Sequence, residues 1–233
     1  MQRSPQYYDL IDSFSKPGCG VCRLLKRDAA RYLESLLYEY VNDRDVQKRF
    51  IEARGLCNTH SWQMTGSKGY ALGIAILQAN LLRDLDALNL GSPRPGLSLR
   101  RNKVSDPLEP QAPCLVCARM DETEPLYLNV MAAFLDDDRF MTAFRSSSGL
   151  CLPHVRQMRH VLEKSPALTS FMVVQRGVWD RLRAELDEFA RKSDAYSQSE
   201  AFGEEADSWL RAIEALAGLD DVFGMRRGGA RSL

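Results

Sequence analysis

Apolar positions recur at three- and four-residue steps along most of this chain, and that spacing reads as helix. From Val21 to about Val41 they fall at Leu24, Leu25, Ala29, Leu33, Leu36, Leu37 and Tyr40. Asn42-Asp43 closes this helix and can cap the next, which runs over 44–54 and carries Val46, Phe50 and Ile51. Gly55 stops it. A further helix begins near Cys57 and reaches Met64, and Gly66-Ser67-Lys68-Gly69 interrupts it. From Tyr70 to Leu90 runs a long helix with Leu72, Ile74, Ile76, Leu77, Leu81, Leu82, Leu85 and Leu88; its wide apolar face predicts deep burial. Ahead of all of these, residues 5–14 form a short helix capped by Ser4 with Pro5 in its first position. Short β-branched runs such as Met172-Val173-Val174 sit inside helical periodicity, so no strand is expected.

Residues 93–113 hold Pro93, Pro95, Pro107, Pro110 and Pro113 and read as a linker. Beyond them the plan returns. A helix spans 114 to 136, broken or kinked at Pro125. Asp137-Asp138-Arg139 matches Asn42-Asp43-Arg44, Phe144 matches Phe50, and Gln157-Met158 matches Gln63-Met64. A long helix from Ser165-Pro166 onward carries Leu168, Phe171, Val174, Val178, Trp179, Leu182, Leu186 and Phe189, and corresponds to the 70–90 helix. The chain therefore reads as a helical repeat. Its expected parts are a first unit at 1–92, the linker at 93–113, a second unit at 114–193, a helix at 200–218 and a disordered tail at 219–233. Trp62, Trp179 and Trp209 fall on apolar helix faces and read as core.

The repeat carries its chemistry in the same places twice. Cys19-Gly20-Val21-Cys22 precedes Gly55-Leu56-Cys57-Asn58-Thr59-His60; Cys114-Leu115-Val116-Cys117 precedes Gly149-Leu150-Cys151-Leu152-Pro153-His154. All six cysteines and two of the three histidines lie in these frames, leaving only His160, which reads as a surface residue. A C-x2-C pair at a helix N-terminus aims two sulfurs at one point, where the helix dipole favours thiolate. Cys57 and His60 are nearly one turn apart, as are Cys151 and His154, so each pair can reach a common centre. Three thiolates and one imidazole suit tetrahedral Zn2+, two ions per chain. The 34- and 33-residue intervals between the motifs allow each half to close on itself as a hairpin. A helix from Cys22 to Asn42 travels roughly 30 Å, and a shorter helix plus a few extended residues covers the return. The crossed pairing, first C-x2-C with second C-x2-H, satisfies the same chemistry.

Other readings of the cysteines explain less. Buried inert thiols would not fall in two matching frames. A dithiol–disulfide couple leaves Cys57, His60 and their counterparts without a role, and the βαβ setting of a thioredoxin-like motif is missing. An iron–sulfur cluster with Cys3His ligation is the alternative that spacing alone does not separate from zinc. Four protein ligands leave no open position for a substrate, which favours structural over catalytic metal and a protein that is not an enzyme. No Gly-rich phosphate loop, H-E-x-x-H or G-x-S-x-G motif is present. Glu34 and Glu39 read as a solvated face, and Asp136-Asp137-Asp138 as helix capping.

Composition narrows the setting. The 233 residues carry 31 basic and 31 acidic side chains, a balance that exerts no general pull on nucleic acid or anionic membrane. Arg100-Arg101-Asn102-Lys103 and the basic tail lack the interleaved aromatics of a nucleic-acid site. The N-terminus has no apolar h-region and no window approaches a membrane span, so a cytoplasmic protein with reduced thiols is expected.

The tandem C-x2-C and G-L-C-x2-H pattern, with Ser35-Leu36-Leu37-Tyr38-Glu39 and Asn42-Asp43 between, resembles a family of uncharacterised bacterial proteins known only as a domain of unknown function. The resemblance runs to about residue 190 and implies a bacterial origin, but no activity. Pro125-Leu126-Tyr127-Leu128-Asn129 departs from the Leu36-Leu37-Tyr38-Glu39 run of the first half. The expectation is an all-α protein of two pseudo-repeated helical units, each clamped by a Cys3His metal site, with a C-terminal helix. Its metals would shape a surface for a protein partner or a second copy of the chain, with a thiol-redox or metal-sensing protein as the alternative.

Overall fold

The computed structural model describes residues 3–66, 69–88, 106–194 and 200–223, and among them there is helix and no strand. Ten α-helices follow in order: α1 (Pro5–Phe14), α2 (Gly20–Tyr38), α3 (Arg44–Glu52), α4 (Asn58–Thr65), α5 (Ala71–Ala87), α6 (Leu115–Ala133), α7 (Asp138–Arg145), α8 (Leu152–Val161), α9 (Ala167–Ser193) and α10 (Ser208–Ala217), with a 3-10 turn at Glu204–Asp207. The series α2–α5 and the series α6–α9 present the same order of elements. Most of the 93–113 segment, the Gly66–Gly69 breaker at 67–68, the 195–199 stretch and the basic tail from 224 lie outside the described residues.

Two compact units emerge, and they do not coincide with the two halves of the sequence. Unit 1 comprises the described residues of Met1–Arg27 and Glu122–Phe223; unit 2 comprises those of Asp28–Asp121. Helices α2 and α6 each begin in one unit and continue in the other.

Unit 1 is built on an aromatic core. Tyr7 on α1 meets Phe134 edge-on with ring centroids 4.7 Å apart, Phe14 meets Phe140 and Phe144 at 5.5 and 5.4 Å, and Phe144 stacks on Phe171 of α9 at 5.7 Å. Asp137 joins this core to the start of α7. Its side chain accepts from the Phe140 N–H at 2.9 Å as N-cap, and accepts from the Tyr7 hydroxyl and the Arg3 guanidinium at 2.9 Å each. Asp43 caps α3 in the same way, accepting from the Val46 N–H.

In unit 2, α5 buries one stripe: Gly73, Leu77 and Leu81. A Cβ on Gly73 would lie 2.4 Å from the Leu37 carbonyl oxygen, so the absence of a side chain permits the approach of α5 to α2. Arg54, with positive φ at the end of α3, donates to Asp84 on α5 at 2.8 Å and to the Pro107 carbonyl at 2.6 and 3.0 Å. The Gln111 N–H reaches the Glu52 carbonyl at 2.7 Å. These bonds anchor residues 106–113 on α3 immediately ahead of Cys114.

Four expectations from the sequence need correction. Helix α5 is buried on one stripe only: Leu72 is 74% and Leu82 61% exposed. Its apolar content exceeds what its neighbours cover. Trp62 and Trp209 are not core; they are 69% and 52% exposed, and Trp179 is half-buried. Helix α6 is not broken at Pro125 but continues through it, since the tertiary setting outweighs one missing backbone donor. Residues 219–223, assigned to the disordered tail, are folded: Val222 is buried and Phe223 lies against His154 with ring centroids 5.2 Å apart.

The Arg3 hydrogen bond, then the Phe140 N–H, hold the Asp137 carboxyl down at about 2, below its ordinary 3.8. A depressed folded-state value means that this contribution to stability is complete above the unfolded value and disappears as pH falls through the folded one. Asp137→Asn should therefore lower Tm at pH 7, and the gap from wild type should close between about pH 4 and pH 2. A gap constant over that range in thermal scans would contradict the assignment.

Candidate metal centres

Each C-x2-C places its first cysteine just ahead of a helix and its second inside the first turn, with the Arg23 N–H bonded to the Cys19 carbonyl and the Ala118 N–H to that of Cys114. Cys57 and Cys151 are the N-cap residues of α4 and α8. In the residues ahead of them, Gly55 and Gly149 have φ of +85° and +69°, a region that disfavours a side chain. This turn brings the cap cysteine and the histidine three residues later to one side.

The eight residues singled out in the sequence gather into two groups, and the pairing is crossed. Cys19, Cys22, Cys151 and His154 form one; Cys57, His60, Cys114 and Cys117 form the other, with the ligand atoms of each within 4.8 Å of one another. Closure of each half on itself is thus overturned, although each compact unit does hold one Cys3His group. The reason lies in helix lengths. The 19 residues of α2 are about 28 Å long and the nine of α3 only about half of that, too short for the return that closure of the first half requires. No extended return segment makes up the difference, so Cys57 closes with the following C-x2-C.

In the first group Nδ1 of His154 is 3.4 Å from the sulfurs of Cys19 and Cys22 and 3.1 Å from that of Cys151, and the Cys22 and Cys151 sulfurs are 3.5 Å apart. In the second, Nδ1 of His60 is 3.1 Å from Cys57, 3.5 Å from Cys114 and 3.4 Å from Cys117, with Cys57 and Cys117 3.7 Å apart. No disulfide joins any of the six cysteines. The groups polarise one another. Hydrogen bonds from Cys114 and Cys117 push the Cys57 thiol down, and those from Cys114 and Cys57 push Cys117 up. Burial opposes charge on His60, yet the neighbouring sulfurs of Cys114 and Cys57 raise it to about 9. In the first group burial likewise opposes charge on Cys19 and His154, and their partners overcome it, drawing the thiol down and the imidazole up.

Two residues around the first group, Glu124 and Gln175, are not foreseen from the sequence. Glu124, buried on α6, has Oε1 3.0 Å from Nε2 of His154, off the axis of the ring N–H, and the same oxygen accepts from Nε2 of Gln157 at 2.7 Å. Gln175, buried on α9, accepts from the Leu150 N–H at 2.9 Å and donates to the Leu150 carbonyl at 3.1 Å. The signal for Glu124 and Gln175 was a polar residue within an apolar stripe: Val116, Met120, Glu124, Leu128 on α6, and Phe171, Gln175, Val178 on α9. His160 is exposed in the last turn of α8 and joins neither group.

Fold and site together define an all-helical protein with two Cys3His clusters able to hold metal ions, and among the described residues no helix is long and apolar enough to cross a membrane. The chain belongs to the Family of unknown function (DUF6062), which matches residues 98–222. It is also similar to the uncharacterized 23.9 kDa protein in the xynA 3' region of Caldicellulosiruptor sp. (strain Rt8B.4), at 26% identity over 214 residues that cover 90% of this chain and 99% of that protein. No solved structure matches.

The turn before Cys151 tolerates no side chain. A Cβ on Gly149 would meet the Gln175 amide at 2.9–3.2 Å in addition to its positive φ. Gly149→Ala should destabilise the protein by about 1 kcal/mol or more, read as a lower Tm. An unchanged Tm would show that the turn is not constrained in this way.

Proposed function

We propose that the protein is a cytoplasmic, non-enzymatic zinc protein whose two Cys3His sites fix helix ends and thereby shape a surface for a protein partner. The observation that carries the metal is the spacing of the ligand atoms. A tetrahedral zinc ion with Zn–S of about 2.3 Å and Zn–N of about 2.0–2.1 Å separates its sulfurs by about 3.8 Å and sulfur from nitrogen by about 3.5 Å. One S–S separation in each cluster, 3.5 and 3.7 Å, and the S–N separations of 3.1–3.5 Å lie close to those edges, and every ligand atom is within 4.8 Å of the others in its group. An iron–sulfur cluster puts several irons and sulfides between its ligands and needs them further apart. The spacing therefore favours a single ion in each site. Four protein ligands complete its coordination, which favours a structural role.

The interaction role is supported by large apolar side chains left at the surface. Tyr38, Trp62 and Leu72 are exposed in unit 2, and Trp209, Ile213 and Leu216 in unit 1. A second copy of the chain is one partner that such faces can take. The alternative, a thiol-redox or metal-sensing protein, draws on one observation: Cys114 and Cys117 are partly exposed.

Elemental analysis of protein purified anaerobically should find one zinc for each of the two clusters, and a chelator should lower Tm. Iron with visible absorption would overturn zinc. Metal-free protein of unchanged stability would overturn the structural role.

A further inference from the structure

The two centres share a ligand set and differ in almost everything around it. Around His154 the contacts are polar and closed. Its Nε2 lies against Glu124, Gln157 holds the same carboxylate oxygen, and Phe223 packs on the ring. Gln175 ties down the backbone of Leu150, next to the ligand Cys151. All four ligands are buried.

At the other centre each of these supports is missing or replaced. Glu124 stands ten residues after Cys114; the residue ten after Cys19 is Ala29. Gln63, the counterpart of Gln157, has its Oε1 buried, and Nε2 of His60 is buried as well. Among the described residues neither atom has a hydrogen-bond partner. Nε2 of His154 makes no aligned hydrogen bond either, but it has the Glu124 carboxylate 3.0 Å away, and no carboxylate stands beside His60 among the described residues. The counterpart of Gln175, counted from the histidine, is Leu81, which touches the Gly55 turn with carbon alone. Cys114 and Cys117 are partly exposed. A cleft of about 210 Å3 does run beside the first centre, past Cys19 and Cys151, but these residues are only 4% and 0% exposed.

An acceptor on the second ring nitrogen of a ligating histidine fixes the tautomer and orientation of the ring, and its loss commonly lowers metal affinity about 10- to 100-fold. We infer that the Cys57–His60–Cys114–Cys117 centre is the exchangeable one of the two, giving up its ion to a competing ligand, while Glu124 held by Gln157 makes the Cys19–Cys22–Cys151–His154 centre retain its own. This rests on the proposed occupancy of both sites by zinc. Glu124 is a positioning residue: it acts on the ion through His154. The partial exposure of Cys114 and Cys117 offers a competing thiol or chelator its point of entry.

The test uses the full-length zinc-loaded protein, a chromophoric chelator that reports released zinc, and iodoacetamide trapping read by mass spectrometry. Two release phases are expected. Cys57, Cys114 and Cys117 should be alkylated during the fast one, and Cys19, Cys22 and Cys151 only in the slow one. Glu124→Ala should speed the slow phase about tenfold or more and leave the fast phase unchanged. Glu124→Gln keeps an acceptor and should fall between, which also covers the case in which the alanine variant does not fold. A single phase with all six cysteines labelled together, or early labelling of Cys19 and Cys22, overturns the inference. Variants that lower Tm but leave the slow phase at the wild-type rate overturn the role of Glu124. Protein that purifies without zinc would instead strike at the occupancy on which the inference rests.

Discussion

The meeting of two helix N-termini at each Cys3His cluster is the constraint on which the rest of this structure depends. The starts of α2 and α8 bound one cluster, and those of α6 and α4 the other. Three sulfurs held within 4.8 Å of one another repel once ionised, and burial makes that worse. The positive ends of two helix dipoles and the imidazole offset part of that repulsion. A divalent cation would remove most of the remainder. The preceding turns, with glycine at positive φ in both repeats, supply the geometry, so a small set of backbone conformations at residues 55–57 and 149–151 decides whether four ligand atoms converge.

Crossed closure changes what the repeat means. Each compact unit takes its C-x2-C from one half of the sequence and its C-x2-H from the other, so neither half contains a complete cluster. The two solutions are also not equal in quality. Unit 1 surrounds its cluster with hydrogen-bonded side chains and an aromatic core that runs from Tyr7 to Phe171. Unit 2 relies on the Arg54 bonds to Asp84 and Pro107 to bring Cys114 into place, and sets no carboxylate beside His60 like the Glu124 oxygen 3.0 Å from Nε2 of His154.

Much of this was legible in the sequence, because it is local. Helical periodicity, the caps at Asp43 and Asp137, and the eight residues that gather into two groups all follow from short-range patterns. The pairing was not, since it turns on whether a nine-residue α3 can bring the chain back, and helix ends are the least certain part of a sequence reading. Burial was misjudged where apolar faces have no covering neighbour, as at Leu72, Leu82, Trp62 and Trp209. Glu124 and Gln175 are not legible because periodicity places them within the apolar stripes of α6 and α9 but does not say which distant group they meet there.

The crossed pairing also sets an order of events on the ribosome. Cys57, His60, Cys114 and Cys117 are all translated before Cys151, so the inner cluster can assemble while the outer one is still incomplete. Cys19 and Cys22 leave the exit tunnel first and wait longest, separated by about 130 residues from the partners they need. Throughout that interval the nascent chain displays an orphan dithiol beside a C-x2-H it must not adopt. A nine-residue α3, set against the 19 residues of α2, works against that early mismatch.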